Sequence, residues 1–196
     1  MDNFAISAMG GSGTKFFAEL LNNSKKYTVR HEPRRSNGFI GWQTETQLKP
    51  IQEAFTDNYG EVNSFLIFQM RDLQVKKKGL ILRKPSDIVK TWNDRRKGEL
   101  PDRFWHRNKM YLYIMDDLIQ RGIPYYYFEK LTTYTDALQM FCDDFVGDVV
   151  VTDEMRQNKK NTKRTGEYEF DNWRLFDFHF KWFEDKYYGR SSNTNL

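Results

Sequence analysis

The chain has 196 residues, 39% hydrophobic and 30% charged, and its 16 Phe, 11 Tyr and 5 Trp exclude a disordered polar segment. A net charge of +4 is a modest excess that suits a nucleic acid, a membrane surface or a small polyanion alike. No apolar run approaches the roughly 18 residues of a membrane helix, Met1-Asp2-Asn3 does not open like an export signal, and the single cysteine, Cys142, excludes a disulfide framework, so a reducing cytoplasm is the expected setting.

Residues 3–9 (NFAISAM) are a short, mostly apolar run that ends in Gly10-Gly11-Ser12-Gly13, after which Phe16, Phe17, Leu20 and Leu21 recur with helical spacing. This predicts a strand, a glycine loop and a helix. Residues 27–32 read as a second strand stopped by Pro33, with a polar loop behind it, and residues 44–58 as a polar helix. Residues 64–70 (SFLIFQM) and 79–82 (GLIL) are unbroken apolar runs of the buried-strand type. From Ser86 as N-cap, with Asp87 in the first turn, Ile88, Val89 and Trp92 outline another helix. Residues 104–121 carry Tyr111, Met115, Leu118 and Ile119 on one helical face and stop at Gly122. A strand at 124–128, a helix at 134–146 ended by Gly147, a strand candidate at 149–152, a polar loop at 153–167 and an aromatic helix at 170–188 complete the pattern. Strands alternating with helices predict one α/β domain over residues 1–188, a central parallel sheet flanked by helices, and a flexible polar tail at 189–196. In such sheets ligands sit outside the carboxyl ends of the strands.

A glycine loop between a strand and a helix leaves backbone N–H groups free at the helix N-terminus, which suits an anion. Residues 10–15 have that layout, although a tight turn with no ligand has it too. The metal-binding nucleotide loop ends in Gly-Lys-Ser/Thr, whose hydroxyl holds magnesium; here Gly13 is followed by Thr14, Lys15 and Phe16. The pattern points to a loop that grips the 5′ end of a nucleotide without a metal. The three histidines, His31, His106 and His179, are scattered, and no metal site is expected.

The segment Gly11-Ser12-Gly13-Thr14-Lys15-Phe16 resembles the 5′-phosphosulfate loop of the sulfotransferases that use 3′-phosphoadenosine 5′-phosphosulfate (PAPS). It departs from that pattern twice, with Gly11 where the family has a basic residue and Lys15 where it has a second hydroxyl. The run Leu82-Arg83-Lys84-Pro85-Ser86-Asp87-Ile88-Val89-Lys90-Thr91 resembles the family's 3′-phosphate motif, an arginine at a strand end with a hydroxyl eight positions on. The stretch 124–147 resembles its strand, Glu-x-Leu turn and helix, and Lys163-Arg164-Thr165-Gly166 its closing loop.

The resemblance implies a P-loop-like sulfotransferase fold and a transferase with PAPS as co-substrate. It implies Gly11, Ser12, Gly13, Thr14, Lys15, Arg83, Thr91, Lys163, Arg164 and Gly166 as its contacts, and a small-molecule or carbohydrate acceptor with a hydroxyl or amine. Lys15 is the cation expected to stabilise the leaving group. Glu32, at the end of the second strand where several sulfotransferases carry a catalytic carboxylate, is the expected base, with His31 as the alternative on the opposite face by strand alternation. Trp42 is a candidate for stacking on adenine. Two rival readings remain at this level, a P-loop nucleotide kinase and a non-catalytic nucleotide- or nucleic-acid-binding module, with a nucleic-acid partner the less favoured.

Overall fold

Strand β1 (Phe4–Ala8) lies at the centre of a five-stranded, wholly parallel sheet. With β2 (Thr28–His31), β3 (Tyr59–Val62), β4 (Lys77–Leu82) and β5 (Tyr125–Tyr127) the order is β2-β3-β1-β4-β5. This computed structural model describes residues 1–33, 45–96, 102–157 and 178–189. The connections are α1 (Thr14–Leu21), α2 (Glu45–Ala54), α3 (Pro85–Arg96), α4 (Asp102–Gln120), α5 (Phe128–Thr133), α6 (Thr135–Phe145) and α7 (Asp153–Gln157), followed by α8 (Phe178–Tyr187). Among the described residues no helix is long and apolar enough to cross a membrane.

The period of two in each strand divides the core. Phe4, Ile6, Ala8 and Ile81 face Phe17, Leu21, Leu138, Phe141 and Phe145 of α1 and α6, whereas Ala5, Leu80 and Leu82 face Ile51, Ile88, Leu112, Met115 and Phe180 of α2, α3, α4 and α8. Both faces are therefore covered, which is why β1 and the end of β4 read as apolar runs. Two strand glycines make room for rings: a Cβ at Gly60 would stand 2.1 Å from Phe4 Cζ, and one at Gly79 2.5 Å from Phe145 Cζ. Asn3 ties the start of β1 to its neighbours, its side chain donating to the Phe55 carbonyl at 3.0 Å and accepting from Lys76 N–H at 3.0 Å.

Four elements differ from the sequence expectation, one of them the polar loop expected at 153–167, which opens with helix α7. Residues 64–70 are not a strand: Ser64–Phe68 winds as a 3₁₀ turn, and the strand is the preceding, more polar Tyr59–Val62. Asn63 decides this, its side chain accepting from Phe65 N–H at 2.8 Å, so the apolar run turns into the core instead of along the sheet. Residues 149–152 are not a strand either; the side-chain amide of Gln139 takes the place of a partner strand, donating to the Val149 carbonyl at 2.9 Å and accepting from Val151 N–H at 2.8 Å. Helix α3 starts at Pro85, whose fixed φ suits the first helical position, so Lys84 and not Ser86 precedes it. Ser86 N–H instead reaches Glu184 on α8, at 2.6 Å.

Candidate anion-binding and proton-transfer site

The loop between β1 and α1 turns through two left-handed glycines, Gly11 at φ +94° and Gly13 at φ +72°. Ser12 N–H bonds the Met9 carbonyl at 3.1 Å, and Phe17 N–H bonds Gly13 at 3.2 Å to begin the helix. Gly13 is the N-cap and has no side chain to cap with, so the first-turn N–H groups of α1 point out at the carboxyl edge of the sheet. Ser12 is fully buried, and its hydroxyl has no hydrogen-bond partner among the described residues. An uncapped helix end with free N–H groups suits an acceptor-rich ligand chemically, and a hydroxyl without a partner among the described residues stands beside it.

Other elements press on this loop. Trp92 of α3 donates from Nε1 to the Gly10 carbonyl at 2.9 Å, and a Cβ on Gly11 would stand 3.0 Å from the same nitrogen. Arg83, just past β4, donates from Nη1 to the Gly11 carbonyl and lies 4.7 Å over the ring of Phe128. That ring closes on Gly13, 2.8 Å from where its Cβ would be. Thr91 stands on α3 with its hydroxyl donated to the Asp87 carbonyl at 2.8 Å. Lys15 turns to solvent, 67% exposed, 3.7 Å from Glu19 one turn on.

Strand β2 brings the proton-transfer candidates to the same edge. His31 Nε2 is 3.0 Å from Thr14 Oγ1 and 3.9 Å from Glu32 Oε1, so His31 and Glu32 share a face, contrary to the alternation expected of them. The cause is Glu32's backbone: at φ +41° it has left the strand, and its side chain swings back toward the core. There it is 7% exposed and accepts from Ser64 Oγ at 2.6 Å. Tyr111 of α4 is buried nearby; burial raises its phenol well above the usual tyrosine range, against the pull of Arg107 and with a smaller push from the charge of Glu32.

Thr14 thus touches both halves of the site, as the first residue of the anion-binding helix and as the partner of His31. Ser64, Trp92, Phe128 and Tyr111 were absent from the sequence-derived site. Trp92 and Tyr111 sat on apolar helical faces and gave no other signal, and Ser64 stood at the head of an apolar run read as strand. His106 is exposed on α4, and His179 bonds Tyr113 far along the chain from the loop. Lys163, Arg164, Gly166 and Trp42 lie outside the described residues, as do residues 170–177 and 190–196.

No family model and no curated protein sequence matches the chain. Among solved structures it is similar to a sulfotransferase from Alicyclobacillus acidocaldarius, with a TM-score of 0.55 at 14% identity, over 93% of this chain and 92% of that one. The fold is therefore that of a sulfotransferase-like α/β domain with a parallel central sheet.

Proposed function

We propose that the protein is a sulfotransferase that moves a sulfuryl group from PAPS to a hydroxyl or amine of a small-molecule or carbohydrate acceptor. The observation that carries the reading is the joining of an uncapped glycine-loop helix, with a buried Ser12 hydroxyl that has no partner among the described residues, to a buried carboxylate through the chain Thr14–His31–Glu32. The loop N–H groups from Gly11 to Thr14 hold the 5′-phosphosulfate. Glu32, fixed by Ser64, takes the acceptor's proton as its oxygen or nitrogen forms a bond to sulfur, and the bond from sulfur to the 5′-phosphate oxygen breaks to release adenosine 3′,5′-bisphosphate. Lys15 leaves Glu19, an exposed pair of small worth, to meet the charge that grows on the departing phosphate. Thr91, on α3, supports a contact to the 3′-phosphate.

The test is mass-spectrometric detection of sulfated products from PAPS and pooled hydroxyl and amine acceptors, with chelator present. Sulfation that survives chelation is expected, since Phe16 stands where a magnesium hydroxyl would be. Phosphorylated products from ATP with a strict magnesium requirement would instead establish the kinase reading. Binding of adenosine 3′,5′-bisphosphate without transfer to any acceptor would leave a nucleotide-binding protein.

A further inference from the structure

The sheet register pairs Ala8 with Ile81 and Leu82 with Tyr127, so three segments leave its carboxyl edge side by side: the loop after β1, Arg83 after β4 and Phe128 after β5. The Arg83 guanidinium is held from two directions, by the Gly11 carbonyl that accepts from Nη1 and by the Phe128 ring beneath it. Phe128 in turn borders Gly13. The charge is thereby set against both left-handed glycines that shape the loop. Trp92 engages the Gly10 carbonyl in the same way, so two acceptors that would repel an incoming anion are already occupied. A guanidinium keeps its charge at any working pH and stands here beside the positive end of α1. Lys15 is turned to solvent and paired with Glu19, which makes Arg83 the cation that the described residues build into the loop.

We infer that Arg83 serves the 5′ end of the donor, as the positioning residue that favours the anion on the glycine loop, and not the 3′-phosphate. This rests on the donor reading proposed above. Discrimination in favour of a 3′-phosphate then falls to groups other than Arg83.

The test is calorimetric titration of the full chain and its Arg83→Gln and Arg83→Lys variants with three nucleotides at fixed salt: adenosine 3′,5′-bisphosphate, adenosine 5′-monophosphate and adenosine 3′-monophosphate. Arg83→Gln is expected to weaken the two 5′-phosphates by one common factor, about tenfold to a hundredfold, and to leave the 3′-monophosphate unchanged. Arg83→Lys keeps the charge without the fork and should show the same split at a smaller factor, which preserves the test if the glutamine variant does not fold. A loss confined to the two nucleotides with a 3′-phosphate would overturn the inference and leave the donor reading intact. An equal loss for all three would also overturn it, reducing Arg83 to a strut of the fold. If the unaltered chain binds none of the three, the donor reading fails and this inference with it.

Discussion

Glu32 holds a left-handed backbone at φ +41°, a conformation that costs a non-glycine residue about 1–3 kcal/mol and persists only where its surroundings enforce it. What enforces it is the Ser64 hydroxyl at 2.6 Å and burial of the side chain. Glu32→Gln is predicted to cut sulfation turnover by about 10²–10⁴-fold while sparing the affinity for adenosine 3′,5′-bisphosphate. Ser64→Ala leaves the carboxylate in place but loosens it, and should give a smaller fall in turnover, again with donor affinity unchanged by calorimetry. Full turnover in Glu32→Gln would move the base to His31, whose Nε2 already meets Thr14 at 3.0 Å. If Lys15 meets the departing phosphate as proposed, Lys15→Ala depresses turnover for every acceptor alike, since that leaving group is common to all of them.

Among the elements, the β1–loop–α1 unit was legible because three glycines and a helical apolar repeat fall together at one place in the chain. The 3₁₀ turn at Ser64–Phe68 was not: a buried apolar run of that length carries no period, and one side-chain bond from Asn63 settles its path. The strand that replaces it, Tyr59–Val62, holds a glycine and a glutamate, which masks its burial. Gly60 is required there by packing against Phe4 and not by its backbone angle. Gly60→Ala should accordingly destabilise the fold by about 1–3 kcal/mol in urea unfolding, as added volume does in a packed core. A change of a few tenths would show that the Phe4 ring can retreat. The pairing of His31 with Glu32 escaped the sequence for a local reason as well, since alternation ends wherever a residue turns left-handed and nothing in the letters of residues 30–33 announces it.

For the whole molecule, the aromatic content that marked the chain as globular also governs its response to alkali. Burial raises the phenols of Tyr111, Tyr126, Tyr187 and Tyr188, pushes Tyr127 up to about 12, and with the charge of Asp143 pushes the Cys142 thiol up to about 12. Each group is neutral when protonated and holds its proton more tightly folded than unfolded. Its contribution is therefore complete below the unfolded values, about 8.5 for the thiol and about 10 for the phenols, and is lost as pH rises from there through the folded value. The urea midpoint should stay level from pH 7 to about 8 and then fall steadily to pH 11; a midpoint that rises over that range would contradict the assignment. Cys142 should resist thiol reagents at pH 8 until the chain unfolds.

The sheet order has a consequence for how the molecule comes into being. Strand β1 lies in the middle of the sheet, yet its two neighbours, β3 and β4, both follow α2 in the chain. A growing polypeptide made at about 5–20 residues per second therefore carries a strand destined for complete burial, with both edges open, for several seconds before either partner exists. Local pairing cannot shorten that interval, because a parallel strand has no hairpin partner. The sheet cannot close around its first strand before the second of that strand's neighbours, Lys77–Leu82, has been made.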